Sequence, residues 1–413
     1  MSVTSCVDGN SVFDPGYVPS QPEPEILNIS PEIGYLAGVD SVIVTGRNFA
    51  IDIDSLIIDF GGSPGVIKKA TKTQLIVRPG KIAGDDLSVR VAKRGAEFFS
   101  NSYLYDLEQP FGLYPGLTST ASPTSPVAVD AQNNIYTIIS SNGSIRYSKI
   151  TPDGTVETDE VKYPGEPRPN LEDKRAYPTD STMRFTAYSD IEVGPGGILI
   201  MSQQNIRAIF QKTFGDDVRE TVWTASSTGT LKIRDMVFDN NGYLWVVGID
   251  SDQIHRFTAA SPGGSEVKFP FTGDFSAVAF HSATNELFVG GLINDRQEVW
   301  KFTIDGSGNI GAGELYFDFE GNYGGSVSSM VLASNGELLI TTGSNTTEED
   351  KPSIVRVFPD GKHQELYPEM IKPGSYSITW RDDKFAVVAV QGDETSINFL
   401  NMYDRARSGI FGF

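Results

Sequence analysis

Cysteine is nearly absent. Of 413 residues only Cys6 carries a thiol, so no disulfide can form within the chain. Histidine is almost as scarce. His255, His281 and His363 are scattered, each on or beside a strand-like run, so each reads as a structural histidine rather than part of a His-rich metal site. No run of 18 apolar residues occurs, which leaves no candidate transmembrane helix. Positive charge is in deficit: 33 basic against 53 acidic residues give a net charge of −20. Such a surface repels a phosphate backbone and argues against nucleic acid as a partner. It reads as a self-repelling, soluble surface, with cations or basic partners as the alternative. The motifs G-x-S-x-G, H-E-x-x-H and G-x-x-x-x-G-K-[ST] do not occur, and no pair among the many carboxylates is singled out for glycosidase chemistry.

What is present is turn-forming and β-forming. There are 42 glycines and 23 prolines, enough for many turns and too few for collagen or disorder. The start, "MSVTSCVDGN", has neither a basic n-region nor an apolar h-region. Its "VTSC" nevertheless resembles the end of a bacterial lipoprotein signal, which implies acylation of Cys6. Residues 7–24 hold four prolines without hydrophobic periodicity and read as an extended, semi-rigid tether.

Residues 25–108 are a block of short runs: "EILNIS", "DSVIVTG", "SLIIDFG", "GVIKKA", "TQLIVRPG", "LSVRVAKRG" and "EFFSNSYLYDL". Each is rich in Val and Ile and bounded by Gly, Pro, Asn or Asp, the pattern of a small β-sandwich. In the second run, Val42 and Val44 share one face and Ile43 and Thr45 the other. The stretch "ISPEIGYLAGVDSVIVTGRNF" resembles the IPT/TIG family of immunoglobulin-like domains through Ser30-Pro31, Gly34, Gly38, Val42, Val44, Gly46, Asn48 and Phe49. Gly46 and Asn48 suit a bulge or positive-φ bend, after which Phe49 returns to the core. The resemblance implies a spacer or interaction module.

From about residue 109 the pattern changes to a repeat. Six phrases read as strand, polar turn, strand: "VAVDAQNNIYTIIS", "IEVGPGGILIMS", "MVFDNNGYLWVVG", "VAFHSATNELFVGG", "MVLASNGELLITTG" and "ITWRDDKFAVVAV". Their turns fall at Asp130, Gly194, Asp239, His281, Ala333 and Arg381. A period of roughly 40–50 residues with three or four strands predicts a β-propeller. The phrase D-x-x-G-x-(I/L)-(Y/W)-V resembles NHL-type and gluconolactonase-like propellers. The expected architecture is all-β: tether 1–24, IPT/TIG immunoglobulin-like domain 25–108, six-bladed β-propeller 109–413. The terminal "SGIFGF" reads as a paired last strand, while whether the start of the domain or this tail closes the ring stays open.

Gluconolactonase-like relatives imply a divalent metal in the channel mouth held by Glu, Asn and Asp. The matching entry to the first blade is missing here, so neither metal nor cofactor is expected. "DGSGN" at 305–309 lacks EF-hand spacing and reads as a hairpin turn. Trp245, Trp300 and Trp380 sit inside strand phrases and read as core, whereas Trp223 lies at an element edge and reads as a contact residue. Residues 162–185 form an insertion of about 20 residues, the kind of long loop that carries function on a rigid scaffold. Arg168, Asp173, Lys174, Arg175 and Tyr177 are its candidate binding residues, and the loop 343–353 is the second candidate. The functional expectation is a non-enzymatic protein of the bacterial cell surface, tethered through Cys6, that binds a glycan or a protein. The alternatives are a structural part of a virion or other large assembly, and a secreted metal-dependent lactonase or hydrolase.

Overall fold

The computed structural model describes residues 21–32, 35–114, 122–123, 126–141, 144–159, 189–203, 207–215, 220–224, 230–258, 265–343, 351–371, 373–382, 385–390 and 396–402. It divides into two compact units, Met1–Pro110 and Phe111–Phe413. Cys6 lies outside the described residues.

The first unit is a sandwich of two four-stranded antiparallel sheets. One orders Glu25–Ser30, Val42–Arg47, Gln74–Arg78 and Val66–Ala70. The other orders Ser63–Pro64, Leu56–Phe60, Gly84–Lys93 and Tyr103–Leu107. The alternation in the sequence is the packing: Val42 and Val44 are fully buried while Ile43 is exposed. Asn48 has φ +60°, and Phe49 turns back into the core beside Val44 and Phe60. Gly46 is required by close approach, since a Cβ there would lie 2.0 Å from the Glu25 carbonyl oxygen and 2.4 Å from the Phe49 ring. Asn101 ties the last strand to the first. Its Nδ2 donates to the Ile26 carbonyl at 2.9 Å and its Oδ1 accepts from the Ile26 N–H at 2.8 Å. The short Ser63–Pro64 strand was not legible as a separate run, and "EFFSN" precedes the final strand instead of opening it.

The second unit is six antiparallel sheets, numbered here as blades. Blade 1 has Ser122–Pro123 and Ala128–Val129 beside Ile135–Ser141, then Ser144–Ile150 and Val156–Asp159. Blade 2 has Asp190–Gly194, Ile198–Gln203, Ala208–Lys212 and Glu220–Thr224. Blade 3 has Lys232–Phe238, Tyr243–Ile249, Gln253–Thr258 and Val267–Pro270. Blade 4 has Asp274–His281, Glu286–Ile293, Arg296–Thr303 and Glu314–Asp318. Blade 5 has Ser329–Leu332, Leu338–Thr341, Ile354–Val357 and His363–Glu365. Blade 6 has Ser375–Trp380, Phe385–Val390, Ser396–Asn401 and, as its fourth strand, Phe111–Leu113. The first strand of each blade contacts the first strand of the next, and blade 6 contacts blade 1, so the ring closes. Closure comes from the start of the unit, with Phe111 opposite Leu400 and Leu113 opposite Asn398. The "SGIFGF" tail expected to pair there lies outside the described residues.

The repeated phrase has a physical cause. In blade 3 the Asp239 carboxylate accepts from the Asn241 and Tyr243 N–H groups through one oxygen and from Trp245 Nε1–H, at 2.9 Å, through the other. In blade 1 Asp130 repeats this with the Gln132 and Asn134 N–H groups and the Tyr136 hydroxyl. An aspartate at the turn and an aromatic six residues later therefore form one unit: the acid closes the turn and satisfies the buried aromatic's polar atom. Trp245 and Trp380 are buried as core residues, and Trp300 packs half-buried against the blade 3–4 core. The "DGSGN" segment is a turn held by Asp305, which accepts from the Ser307 and Asn309 N–H groups.

D239A leaves the Trp245 N–H buried without an acceptor and is expected to cost about 1–3 kcal/mol. D360A, in an exposed turn with no aromatic partner, is expected to cost less. Urea unfolding of the two variants measures the difference.

Candidate functional site

The first strands of the six blades enclose a cavity of about 90 Å³. Its wall includes Val127, Asp190, Glu192, Asp235, Val278, Ser329 and Ser377. Counting four residues back from each blade's turn gives one level of this wall: Pro126, Asp190, Asp235, Ala277, Ser329 and Ser377. Four of these six carry an acceptor, and all four use it identically. Asp190 Oδ2 accepts from the Met236 N–H at 2.8 Å, and Asp235 Oδ2 from the Val278 N–H at 2.7 Å. Ser329 Oγ accepts from the Ile378 N–H at 3.4 Å, and Ser377 Oγ from the Val127 N–H at 3.3 Å. Each donor is the next blade's residue one step closer to the turn. The side chains thus fasten consecutive blades at the channel, where the inner strand's outward edge has no sheet partner.

Pro126 and Ala277 have no such acceptor, and their seams are fastened elsewhere. Between blades 4 and 5, Ser276 Oγ–H donates to the Val327 carbonyl at 2.5 Å. Between blades 1 and 2, the buried Lys212 ammonium meets the Asp159 carboxylate at 2.6 Å, and Asp159 also accepts from the Gly215 N–H.

Two carboxyls at this level and a third two residues on make the channel electrostatically unusual. Burial pushes Asp235 up to about 7, against the lowering effect of its hydrogen bonds from Val278, Met236 and Asp190. Asp190 is raised well above the usual carboxylate range by burial, then by the Asp235 and Glu192 charges. Glu192, half-buried on the same wall, is raised by burial and then by Asp235. Burial is thus the first cause in all three, and for Asp190 and Glu192 the neighbouring carboxyl charges add to it.

A divalent ion of the kind the gluconolactonase-like resemblance implies does not fit this donor set. Asp190 and Asp235 already face backbone N–H donors, and the remaining wall is largely aliphatic. Among the described residues no group of three or more His, Cys, Asp or Glu side chains is arranged to hold a metal.

Of the residues singled out in the sequence, Arg168, Asp173, Lys174, Arg175 and Tyr177 lie outside the described residues, as do 344–350 of the second loop. Trp223 is half-buried, with its ring edge-on to Phe257 at 5.4 Å in the core between blades 2 and 3. The channel residues were missed, although a signal existed. Asp190, Asp235, Ser329 and Ser377 each stand immediately before one of the repeated apolar phrases, as a polar residue at the mouth of a buried strand.

Residues 24–107 match the IPT/TIG domain family, so the first unit is an IPT/TIG domain. No curated protein sequence matches the chain. Among solved structures the chain is similar to a putative phosphatase from Bacteroides thetaiotaomicron, with 11% identity, 93% of this chain and 98% of that chain covered, and TM-score 0.55. It is also similar to an auxiliary nutrient binding protein from the same organism, with 11% identity, 93% and 98% coverage, and TM-score 0.50. A gluconolactonase from Xanthomonas campestris aligns at 13% identity over 70% of this chain and 89% of its own, with TM-score 0.49. The fold is an IPT/TIG domain followed by a six-bladed β-propeller.

The raised carboxyls set the sign of a pH effect. A carboxyl that holds its proton more tightly when folded contributes stability below its ordinary pKa of about 4, and that contribution is lost as pH rises through the folded value. Wild type is therefore expected to lose stability relative to D235N between pH 5 and 8, since the asparagine carbonyl still accepts from Val278 but carries no charge. Parallel unfolding free energies of the two proteins across that range contradict this.

Proposed function

We propose that this protein is a non-enzymatic binding protein of the bacterial cell surface, in which the IPT/TIG domain is a spacer and the propeller presents a surface to a glycan or a protein partner. The observation that carries this reading is the use of the channel carboxyls. Asp190 and Asp235 accept backbone hydrogen bonds across two seams, which makes them parts of the ring's fastening and leaves recognition to the exposed loops. The likeness to an auxiliary nutrient binding protein over 93% of this chain supports the same reading. A lipid on Cys6 behind the proline-rich tether supplies the anchor. A channel enzyme is the second reading, favoured by Asp235 holding its proton up to about 7, where a carboxyl can act as acid or base.

Two measurements on the purified full chain separate these readings. Incubation of fluorescently labelled protein with an oligosaccharide array is expected to give saturable binding that D235N retains. Hydrolysis of glucono-δ-lactone is expected to be the same in wild type, D235N and E192Q, and to gain nothing from added Ca²⁺ or Zn²⁺. Lactone turnover that D235N or E192Q removes would establish the channel enzyme instead.

A further inference from the structure

The turn between the second and third strands of blade 3 carries Ser251, the third strand carries His255, and Glu266 stands just before the fourth strand. The Ser251 hydroxyl lies 3.0 Å from His255 Nε2, and His255 Nδ1 lies 2.7 Å from Glu266 Oε1. We propose that Ser251, His255 and Glu266 form a nucleophile, general base and orienting acid that hydrolyse small uncharged esters at the rim of blade 3.

The proton positions follow from the partners. An ionised Glu266 carboxylate can only accept, and Lys268 Nζ lies 3.6 Å from the same oxygen. The Nδ1 proton therefore points to Glu266. Burial lowers the His255 pKa, and this outweighs the raising effect of Glu266, so the ring is neutral near pH 7 and Nε2 bears a lone pair. The Ser251 hydroxyl then donates to Nε2 in preference to its other acceptor, the Gln253 carbonyl at 3.2 Å. That is the protonation pattern of an activated serine.

Exposure is ordered as the chemistry needs. His255 is 2% exposed, whereas Ser251 sits half-exposed at the tip of its turn. The tip is pinned on both sides. Asp250 and Asp252 have φ +65° and +52°. The Asp250 carboxylate pairs with Lys232 at 2.6 Å, and Asp252 accepts from the Phe271 and Gly273 N–H groups. The acidic side chains of Asp250, Asp252 and Asp274 around the tip disfavour an anionic acyl group, so the substrate class is a neutral ester. An O-acetyl group on a carbohydrate belongs to that class; the inference goes beyond the binding reading and confines its non-enzymatic character to the channel.

In the reaction Ser251 Oγ bonds to the ester carbonyl carbon as its proton passes to Nε2. The imidazolium returns that proton to the departing alkoxide, and the alcohol leaves. Water then attacks the acyl-serine, giving one proton to Nε2. The acid departs as Ser251 regains that proton, so ester and water become acid and alcohol.

The test uses the full chain, a fluorescent fluorophosphonate and p-nitrophenyl acetate. The expected result is one adduct, placed on Ser251 by peptide mass spectrometry of the wild type, with hydrolysis above the buffer rate. S251A is expected to lose both while keeping the wild-type melting profile. E266Q is expected to lower kcat/KM by roughly 10²–10⁴-fold and to move the acidic limb of the pH profile downward, because it removes the charge that raises His255. A folded wild type that takes up no fluorophosphonate overturns the proposal. So does an adduct elsewhere than Ser251, or an E266Q variant with unchanged rate and pH profile.

Discussion

A ring of sheets has one recurring weakness: the edge of each innermost strand, whose N–H groups have no sheet partner across the seam. This protein meets it with a side-chain acceptor four residues before the turn, used in blades 2, 3, 5 and 6. An unpaired buried N–H costs about 1–3 kcal/mol, so four fastened seams matter against a typical net stability of 5–15 kcal/mol. The two seams without this device, beside Pro126 and Ala277, have their own: a buried Lys212–Asp159 ion pair and a hydroxyl bond from Ser276 to the Val327 carbonyl. The channel's chemistry follows from the same constraint. Carboxyls used as acceptors in a buried wall have their pKa values raised by that burial, which gives the channel the appearance of an acid–base site while the oxygens of Asp190 and Asp235 are engaged in holding the ring.

Much of the fold was legible in the sequence, because it rests on local rules. The alternation of Val42, Ile43 and Val44 is the buried and exposed pattern of the sandwich, and Gly46, Asn48 and Phe49 mark its bend. The turn aspartates Asp130 and Asp239 announce the blades because each binds its own turn and an aromatic six residues on. Ring closure was not legible. The strand Phe111–Leu113 pairs with Ser396–Asn401 across nearly the whole unit, and three residues of backbone pairing leave no periodicity to detect.

The site was legible only in part, for the same reason. Asp190 and Asp235 are ordinary as single letters, and their meaning comes from the backbone of the next blade, some 43 to 46 residues away. Ser251, His255 and Glu266 span only 16 positions, yet their spacing matches no short motif. A hairpin register and a diagonal across two strands bring them together. The sequence suggests a structural role for His255; both ring nitrogens do have partners, and the proposed chemistry rests on which partners they are.

The account's central claim is that the channel carboxyls hold blades together. Amide hydrogen exchange at Val278 and Met236 in wild type, D235A and D190A measures this residue by residue. The account predicts that D235A strips protection from the Val278 amide and D190A weakens it at Met236, with amides in blades 5 and 6 little changed. Unaltered protection at both amides in both variants would contradict it.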